Sequence, residues 1–425
     1  MATINIVVPE FHAEKFSGGL LCVFEYAKGL RAANHNVNIV PLLPSPQPRW
    51  MSGDIGWLPD EGMKPKLCRL ARAFKDLGCN LIKRTHPRPL MTGVREIMYR
   101  SALLRADIFP DEIQSGLSLM YVRELLQTVL PPADVTIATE SRAALAVSLY
   151  GTGRKFYFAQ HFEPYFSVDM SNPGLWEYGA RQSYRLGLRM IANSSWLQGK
   201  LQQEIGSEVA LCPNAIDHSV YSGSPKTGAL GSEVRVISYG GRHAKWKGFR
   251  EMAQGIQLAR KRLPGLRLRW LVYGPCILEP SNSIAEYEAL GFLQPPDLAK
   301  AYRDADILLS ASWYESFPLF PLEAMACGLP VITTQYGTEE FAFPGKTAEV
   351  VQANDPESIA AALIRLITDA ERRHSIAADG NELARQFTWQ KSVARMESLL
   401  FAEDGPAPIR DRTDASQHAV TALSI

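Results

Sequence analysis

Residues 315–334 read "ESFPLFPLEAMACGLPVITT", a stretch that contains a loop, a short helix and a strand in succession. Pro318 and Pro321 keep the loop extended, and Pro321 is well suited to the first helical position, where its missing N–H is not needed. Gly328 is expected to end the helix. The β-branched run 329–334 then predicts a buried strand. A loop, a helix and a strand in this order are typical of an α/β protein.

The same order of elements repeats along the chain. Short apolar runs predict strands, and the amphipathic segments between them predict helices. Strands that are apolar throughout are typical of a parallel sheet covered on both faces. The predicted strands lie at 4–9, 37–43, 134–140, 154–160 and 189–194, and again at 233–241, 266–275, 287–292, 305–312, 329–334 and 348–351. Because the alternation of strands and helices begins again at 233, we predict two doubly wound α/β domains.

Length and local composition suggest where the two domains divide. A chain of 425 residues is longer than one hydrophobic core usually supports. The segment 195–232 is rich in Pro, Gly, Ser and Asn, which is typical of a connection between domains. We therefore predict a first domain at 1–195, a second domain at 196–386, a terminal helix at 387–402 and a loose tail at 403–425.

The composition argues against several classes of function. The formal net charge is +1, so the global charge does not indicate nucleic acid as a partner. The six cysteines form no C-x-x-C pair, which argues against a disulfide or zinc framework. The N-terminus reads as a strand rather than a signal peptide. No window offers about 18 uninterrupted apolar residues, the length needed to span a membrane. These features predict a cytoplasmic protein.

A basic segment at 64–105 differs from the rest of the chain. It holds eleven Lys or Arg residues and two acids, interleaved with apolar residues at helical spacing. One interpretation is a solvated helical insertion. Another is a weak contact surface for anionic lipid, or for a lipid-diphosphate acceptor, at the inner face of the cytoplasmic membrane. Nucleic acid is the weakest interpretation, because few aromatic residues are interleaved.

Two loops that follow predicted strands carry candidate anion-binding groups. Gly18 and Gly19 precede a helix, where glycines let backbone N–H groups approach an anion. Arg242 and Lys247 follow the first strand of the second domain and can converge on one phosphate or diphosphate. The alternative is a pair of solvated loop cations. The chain has no G-x-G-x-x-G motif and no P-loop here, which argues against a dehydrogenase or an NTPase.

Two carboxylates flank the predicted helix of the opening stretch. Glu315 lies in the loop, and Glu323 is predicted to lie in the first helical turn, where the helix dipole alone would favour it. Both carboxylates could instead accept hydrogen bonds from hydroxyls, one from a sugar ring and the other from a ribose. Backbone N–H groups at the helix start would then hold a phosphate between them. The stretch therefore suggests a sugar-nucleotide site.

Three segments together resemble family four of the retaining GT-B glycosyltransferases: "GGRHAKWKG" at 240–248, the opening stretch at 315–334, and "CPNAID" at 212–217. The resemblance implies two facing Rossmann-like domains, with the nucleotide sugar on the C-terminal domain and the acceptor on the N-terminal one. It also implies that the segment 387–400 crosses back onto the first domain. The resemblance implies that Glu315 contacts the donor sugar and that Glu323 contacts the ribose. It implies that Arg242 and Lys247 neutralise the diphosphate, and that Gly18 and Gly19 close over the diphosphate from the first domain.

A further stretch, "FAQHFEPYF" at 158–166, resembles bacterial rhamnosyltransferases that carry a Q-x-x-E-P run. By that likeness His161 matches a histidine of the catalytic cleft, which would bond the donor sugar or position the acceptor. Glu163 would face the acceptor or the cleft. The alternative for His161 is an ordinary loop histidine. Pro318 stands where many relatives have glycine, so one backbone N–H donor is missing there.

The resemblance implies transfer of a hexose or deoxyhexose from a nucleoside-diphosphate sugar to a hydroxyl of a saccharide or a lipid-linked saccharide. The setting would be synthesis of bacterial surface polysaccharide, lipopolysaccharide or glycolipid, with retention of configuration and with His161 and Glu315 as catalytic residues. No Asp-x-Asp motif appears at a strand end, so we expect neither a metal nor a cofactor. The alternatives are a GT-B epimerase or phosphorylase, and a non-catalytic scaffold that binds nucleotide sugars.

Overall fold

The computed structural model describes residues 1–9, 18–42, 47, 55–57, 130–169, 173–240, 244–274 and 285–402. The basic segment 64–105, Arg242 and the tail 403–425 lie outside these residues, so the expectations for them stay predictions. Within the described residues the chain forms two parallel sheets, each flanked by helices. None of the described helices is long and apolar enough to cross a membrane.

The first sheet has seven strands in the order β3-β2-β1-β4-β5-β6-β7, and every neighbouring pair is parallel. The strands are β1 (Thr3–Val8), β2 (Asn36–Pro41), β3 (Gly56–Trp57), β4 (Val135–Ala138), β5 (Arg154–Ala159), β6 (Arg189–Ala192) and β7 (Ala210–Leu211). The helices described with this sheet are α1 (Gly18–Ala32), α2 (Ser141–Tyr150), α3 (Pro173–Ser183) and α4 (Ser195–Ile205).

The second sheet has six strands in the order β10-β9-β8-β11-β12-β13, again parallel throughout. Its strands are β8 (Glu233–Tyr239), β9 (Arg267–Tyr273), β10 (Glu288–Gly291), β11 (Ile307–Ser310), β12 (Val331–Thr334) and β13 (Glu349–Val351). Its helices are α5 (Phe249–Arg262), α6 (Pro295–Asp304), α7 (Leu319–Ala326), α8 (Pro356–Thr368) and α9 (Ala370–Ala384). All eleven predicted strands are confirmed in place, and the two-residue strands β3 and β7 were not predicted.

Both faces of each sheet pack against helices. Along β1, Ile6 belongs to the cluster that includes α1, whereas its neighbour Val7 belongs to the cluster that includes α2. In the second sheet, Ile237 and Val236 of β8 divide in the same way between two clusters. Because successive side chains of a strand point to opposite faces, burying both faces favours apolar residues at most positions of a strand. This explains why the central strands read as largely apolar runs.

The last described helix, α10 (Trp389–Phe401), returns to the first domain. Val393 and Met396 are buried in the cluster formed by α1 and the first sheet. A Cβ at Gly29 of α1 would lie 2.2 Å from Val393 Cγ2, so the close contact between these helices requires glycine at that position. The terminal helix therefore completes the hydrophobic core of the first domain.

The two segments that connect the domains run side by side. The Ile216 backbone N–H donates to the Phe387 carbonyl oxygen at 3.4 Å. His218 Nε2 lies 3.1 Å from the same oxygen. Ile216 and Thr388 also form an isolated parallel bridge. The outgoing and the returning connection are thus paired with each other.

Two of the expected boundaries need correction. The predicted division after residue 195 falls before the last strand of the first sheet, because β7 pairs with β6. Helix α7 begins at Leu319 rather than at Pro321, and Pro318 is its N-cap residue. Pro321 is the third residue of this helix, where a backbone N–H is still not needed for intrahelical bonding. Sequence alone does not distinguish these two starts.

Candidate functional site

Two loops at the carboxyl ends of β8 and β11 meet through an ion pair. Lys247 Nζ lies 2.5 Å from Glu315 Oε1, and each side chain is 15% exposed. The Ser312 hydroxyl donates to the same carboxylate oxygen at 2.9 Å. Gly248 has a φ of 69°, and a Cβ there would lie 1.9 Å from the Ala311 carbonyl oxygen. Glycine at 248 therefore lets the first loop lie against the end of β11.

The carboxyl group of Glu323 is buried in α7, and the residue is 5% exposed. Its Oε2 atom has no hydrogen-bond partner among the described residues. Burial raises the pKa of Glu323 to about 8, and the Tyr221 hydroxyl partly offsets this effect. Glu323 is the fifth residue of the helix, so the interpretation as a first-turn acid stabilised by the helix dipole is wrong.

The starts of α1 and α7 face each other across the domain boundary. A Cβ built at Gly18 would lie 3.9 Å from Leu319 Cδ1, an ordinary van der Waals distance. The pKa of the Cys22 thiol in α1 is raised, first by burial and second by the charge of Glu323. The Glu323 carboxyl group therefore lies near the first domain. The helix that begins at Gly18 and Gly19 thus lies beside the helix that carries Glu323.

His161 lies between the domains. Its ring is stacked on Phe166 with centroids 4.2 Å apart, and it lies 5.8 Å from the Trp246 ring and 6.0 Å from the Tyr314 ring. Its Nδ1 atom is 3.2 Å from the Phe162 carbonyl oxygen. Trp246 precedes Lys247 and Tyr314 precedes Glu315 in sequence, so the structure brings His161 to the neighbours of the ion pair.

The carboxylate of Glu163 is engaged within the first domain. Its Oε2 accepts the Ser141 backbone N–H at 3.0 Å, at the start of α2, and its Oε1 accepts the Tyr157 hydroxyl at 2.5 Å. Burial first, and then the charge of Glu140, raise the pKa of Glu163 to about 7. These contacts give Glu163 a structural role in fixing the loop after β5, and they add no observation in favour of acceptor contact.

Several contacts across the boundary were not predicted. The Ser316 hydroxyl donates to Asn193 Oδ1 at the end of β6, and the Ser195 backbone N–H donates to Glu340. Within the second domain, the Trp246 and Tyr314 rings stack at 5.4 Å with 11° between their planes, a contact that was not predicted either. The only sequence signal for these rings was the adjacency of aromatic residues to the predicted ligands, as in the "WKG" and "WYES" runs.

The carboxyl ends of the two parallel sheets carry the Lys247–Glu315 ion pair, the Glu323 carboxyl group and the half-buried starts of α1 and α7. This is where doubly wound α/β folds bind ligands. A lysine ammonium suits an anionic group, and carboxylates suit hydroxyl groups. Among the described residues there is no group of three or more His, Cys, Asp or Glu placed to hold a metal ion. The arrangement therefore suits a ligand that has an anionic centre and hydroxylated ends.

Two facing parallel-sheet domains with this helical return define the GT-B fold of nucleotide-sugar enzymes. Comparison with known proteins agrees with that class: residues 234–369, within the second domain, match the family described as "Glycosyl transferases group 1". The matched segment contains Lys247, Glu315 and Glu323. Arg242 also falls inside it, although its position lies outside the described residues.

Two related sequences carry the same functional name. The chain is 29% identical over 193 residues to a D-inositol 3-phosphate glycosyltransferase of Corynebacterium urealyticum, covering 41% of this chain and 46% of that protein. It is 30% identical over 226 residues to a protein of the same name from Segniliparus rotundus, covering 48% of this chain and 50% of that protein. The chain thus spans about half the length of these curated relatives.

Solved structures match nearly the whole chain at low sequence identity, and so they establish the fold alone. TarM aligns with a TM-score of 0.63 and 12% identity, covering 95% of this chain and 99% of TarM. Sucrose-phosphate synthase from Thermosynechococcus elongatus has a TM-score of 0.61 and 16% identity, covering 94% and 98%. Anabaena HepE, in complex with UDP-glucose, has a TM-score of 0.59 and 15% identity, covering 94% and 100%.

Proposed function

We propose that this chain is a glycosyltransferase that moves a hexose or deoxyhexose from a nucleoside-diphosphate sugar to an acceptor hydroxyl. The observation that carries the proposal is the Lys247–Glu315 ion pair, which lies at the domain boundary where α7 places the buried carboxyl of Glu323. One cation and two carboxylates suit a diphosphate with a sugar at one end and a ribose at the other. The family match over 234–369 supports the same activity.

Each residue of the site has a proposed role in holding the donor. Glu315 accepts hydrogen bonds from hydroxyls of the transferred sugar, and Glu323 accepts those of the ribose. Lys247, together with Arg242, neutralises the diphosphate, while Gly18 and Gly19 close over it from the first domain. Pro318 and Pro321 supply no N–H at the start of α7, so the cations carry more of the diphosphate contact than they would with glycine there.

The proposed chemistry is transfer with retention of configuration and without a metal ion. As the bond to the anomeric carbon breaks, positive charge develops on the sugar and negative charge on the diphosphate, which Lys247 is placed to stabilise. Glu315 Oε1 already accepts hydrogen bonds from Lys247 and Ser312, which makes it a poor covalent nucleophile. We therefore favour attack on the face that the phosphate leaves, with the acceptor proton passing to that phosphate. His161 would position the acceptor or the donor sugar.

The comparisons suggest which substrates to try first. HepE has been solved with UDP-glucose, and TarM with UDP and α-GlcNAc-glycerol, so UDP sugars and small glycosides are the first choices. The likeness of 158–166 to rhamnosyltransferases adds deoxyhexose donors. The proposed acceptor is a saccharide or a lipid-linked saccharide of bacterial surface polysaccharide, lipopolysaccharide or glycolipid synthesis. The basic segment 64–105 would then provide weak contact with the inner face of the cytoplasmic membrane.

A screen of nucleotide sugars by thermal stabilisation tests the proposal, because a ligand at 100 times its Kd stabilises a protein by about 2.7 kcal/mol. We expect at least one nucleotide sugar to raise Tm in the wild-type protein and to lose this effect in a Lys247→Ala, Arg242→Ala double variant. Absence of stabilisation by every donor would contradict the proposal. Isomerised sugar in a reaction without acceptor would indicate an epimerase, and tight binding without turnover would indicate a scaffold.

A further inference from the structure

Four aromatic rings from the two domains meet beside the ion pair. Tyr165 and Phe166 come from the 3₁₀ helix Glu163–Asp169 of the first domain, and Trp246 and Tyr314 come from the loops of the second. The Tyr165 and Tyr314 centroids are 4.7 Å apart, and those of Phe166 and Trp246 are 6.1 Å apart. We call these four rings the aromatic clasp. It joins the domains through ring contacts at two points.

The aromatic clasp and the ion pair form one connected unit. Lys247 Nζ lies 4.1 Å from the centroid of the Trp246 ring. The Trp313 backbone N–H donates to the Trp246 carbonyl oxygen at 2.7 Å, so the two loops that carry the second-domain rings are bonded to each other. Trp246 is 5% exposed. Because Tyr314 directly precedes Glu315, the clasp lies next to Lys247 and Glu315, two of the residues that we assign to the donor.

We propose that the aromatic clasp excludes water from the anomeric carbon of the bound donor, so that Tyr165 and Phe166 favour an acceptor hydroxyl over water. This inference rests on the proposed function. In the competing reaction a water oxygen bonds to the anomeric carbon and the bond to the phosphate oxygen breaks. The electron pair leaves with the nucleoside diphosphate, and the water proton passes to that phosphate or to solvent. The products are a free sugar and the nucleoside diphosphate.

The physical basis is the mainly apolar surface of the rings, of which Trp246 is buried and the other three are half-buried. Closing a reaction site with mainly apolar surfaces, such as the faces of aromatic rings, excludes water from the vicinity of a reactive centre. His161 is 9% exposed and is stacked at 4.2 Å on Phe166, which extends the apolar surface on the first-domain side. Phe166 contacts both His161 and Trp246, so removing its ring would leave space beside these two side chains.

Glu163 positions the first-domain half of the clasp. It begins the 3₁₀ helix, its backbone N–H donates to the Tyr184 hydroxyl at 2.9 Å, and its carboxylate is bonded to Ser141 and Tyr157. The other half of the clasp is fixed within the second domain. The clasp is therefore complete only when the domains are together, and exclusion of water follows domain closure.

The test measures release of nucleoside diphosphate without acceptor, and the Kd for donor, using UDP-glucose, UDP-N-acetylglucosamine, GDP-mannose and dTDP-rhamnose. Phe166→Ala is expected to raise the release rate about tenfold, the effect of lowering a barrier by about 1.4 kcal/mol, at an unchanged Kd. Phe166→Tyr, which keeps a ring, is expected to behave as the wild type. Phe292→Ala is the matched control, because this phenylalanine is 50% exposed.

Tyr165→Leu removes the other first-domain ring but keeps an apolar side chain, so it supplies a second variant with the same expectation if Phe166→Ala does not fold. Donor binding with an unchanged release rate in both variants would overturn this inference alone. A wild-type protein that binds none of the four donors would overturn the proposed function and this inference with it. A rise of equal size in Phe292→Ala would also refute the assignment, because that ring is not part of the clasp.

Discussion

Replacing Glu163 by glutamine should make the protein more stable at alkaline pH and leave its stability unchanged at acid pH. Burial raises the pKa of this carboxyl group from 4.5 to about 7 in the folded protein, so the folded state binds more protons than the unfolded state between these values. Stability therefore falls as pH rises through this window. Glutamine carries no charge, and it can still accept the Ser141 N–H while donating to the Tyr157 hydroxyl.

The size of the effect follows from the two pKa values. A pKa of about 7 against the ordinary 4.5 corresponds to about 3 kcal/mol of unfolding free energy at 1.36 kcal/mol per pH unit. The difference between Glu163→Gln and the wild type should thus grow from near zero at pH 4.5 to about 3 kcal/mol at pH 8. Other groups that titrate identically in both proteins cancel from this difference.

Urea unfolding followed by tryptophan fluorescence at pH 4.5, 6, 7 and 8 would measure this difference. Glu357→Gln is the matched control, because the Glu357 side chain is 61% exposed and its partner Arg262 is 45% exposed. That variant should show a small difference that does not change with pH. A constant difference for Glu163→Gln, or one that falls as pH rises, would refute the assignment of a buried carboxyl that is costly to ionise.

Three further variants and one treatment test the donor site. Lys247→Ala should weaken UDP binding about tenfold to a hundredfold, the usual loss for a charge-assisted hydrogen bond, as measured by calorimetry. Glu323→Gln should weaken UDP binding similarly while raising Tm at pH 9, because the buried carboxyl, whose pKa is about 8, is then ionised in the wild type. Gly248→Ala should lower the unfolding free energy by about 3 kcal/mol in urea, since its Cβ would clash with the Ala311 carbonyl oxygen. EDTA should leave transfer activity unchanged, and loss of activity would contradict a metal-independent mechanism.

The central strands were predictable because they are mostly buried on both faces and therefore largely apolar. The exceptions show what the pattern lacks. Strand β7 (Ala210–Leu211) has two residues, too few for a run to be recognised, and it exists because β6 offers it a pairing edge. The start of α7 was misplaced because both prolines of the opening stretch are compatible with a first turn. Local sequence therefore predicted which elements exist better than it predicted the residues at which they begin and end.

The positions of Lys247 and Glu315 after strands were predictable from the sequence, and their role in donor binding stays a prediction. Their direct ion pair could not be predicted, because 68 residues separate them and the distance depends on how two loops pack. The same limit applies to Ser316 and Asn193, which come from different domains. For Glu163 the sequence suggested substrate contact, which stays a prediction, whereas the contacts that fix the turn after β5 could not be predicted.

The paired connections between the domains restrict how the protein can open. Ile216 and Phe387 bind the outgoing and returning segments into a single two-stranded tether. We therefore expect the domains to separate by rotation about this pair of segments rather than by sliding past each other. A cross-link between the two segments should leave that rotation possible.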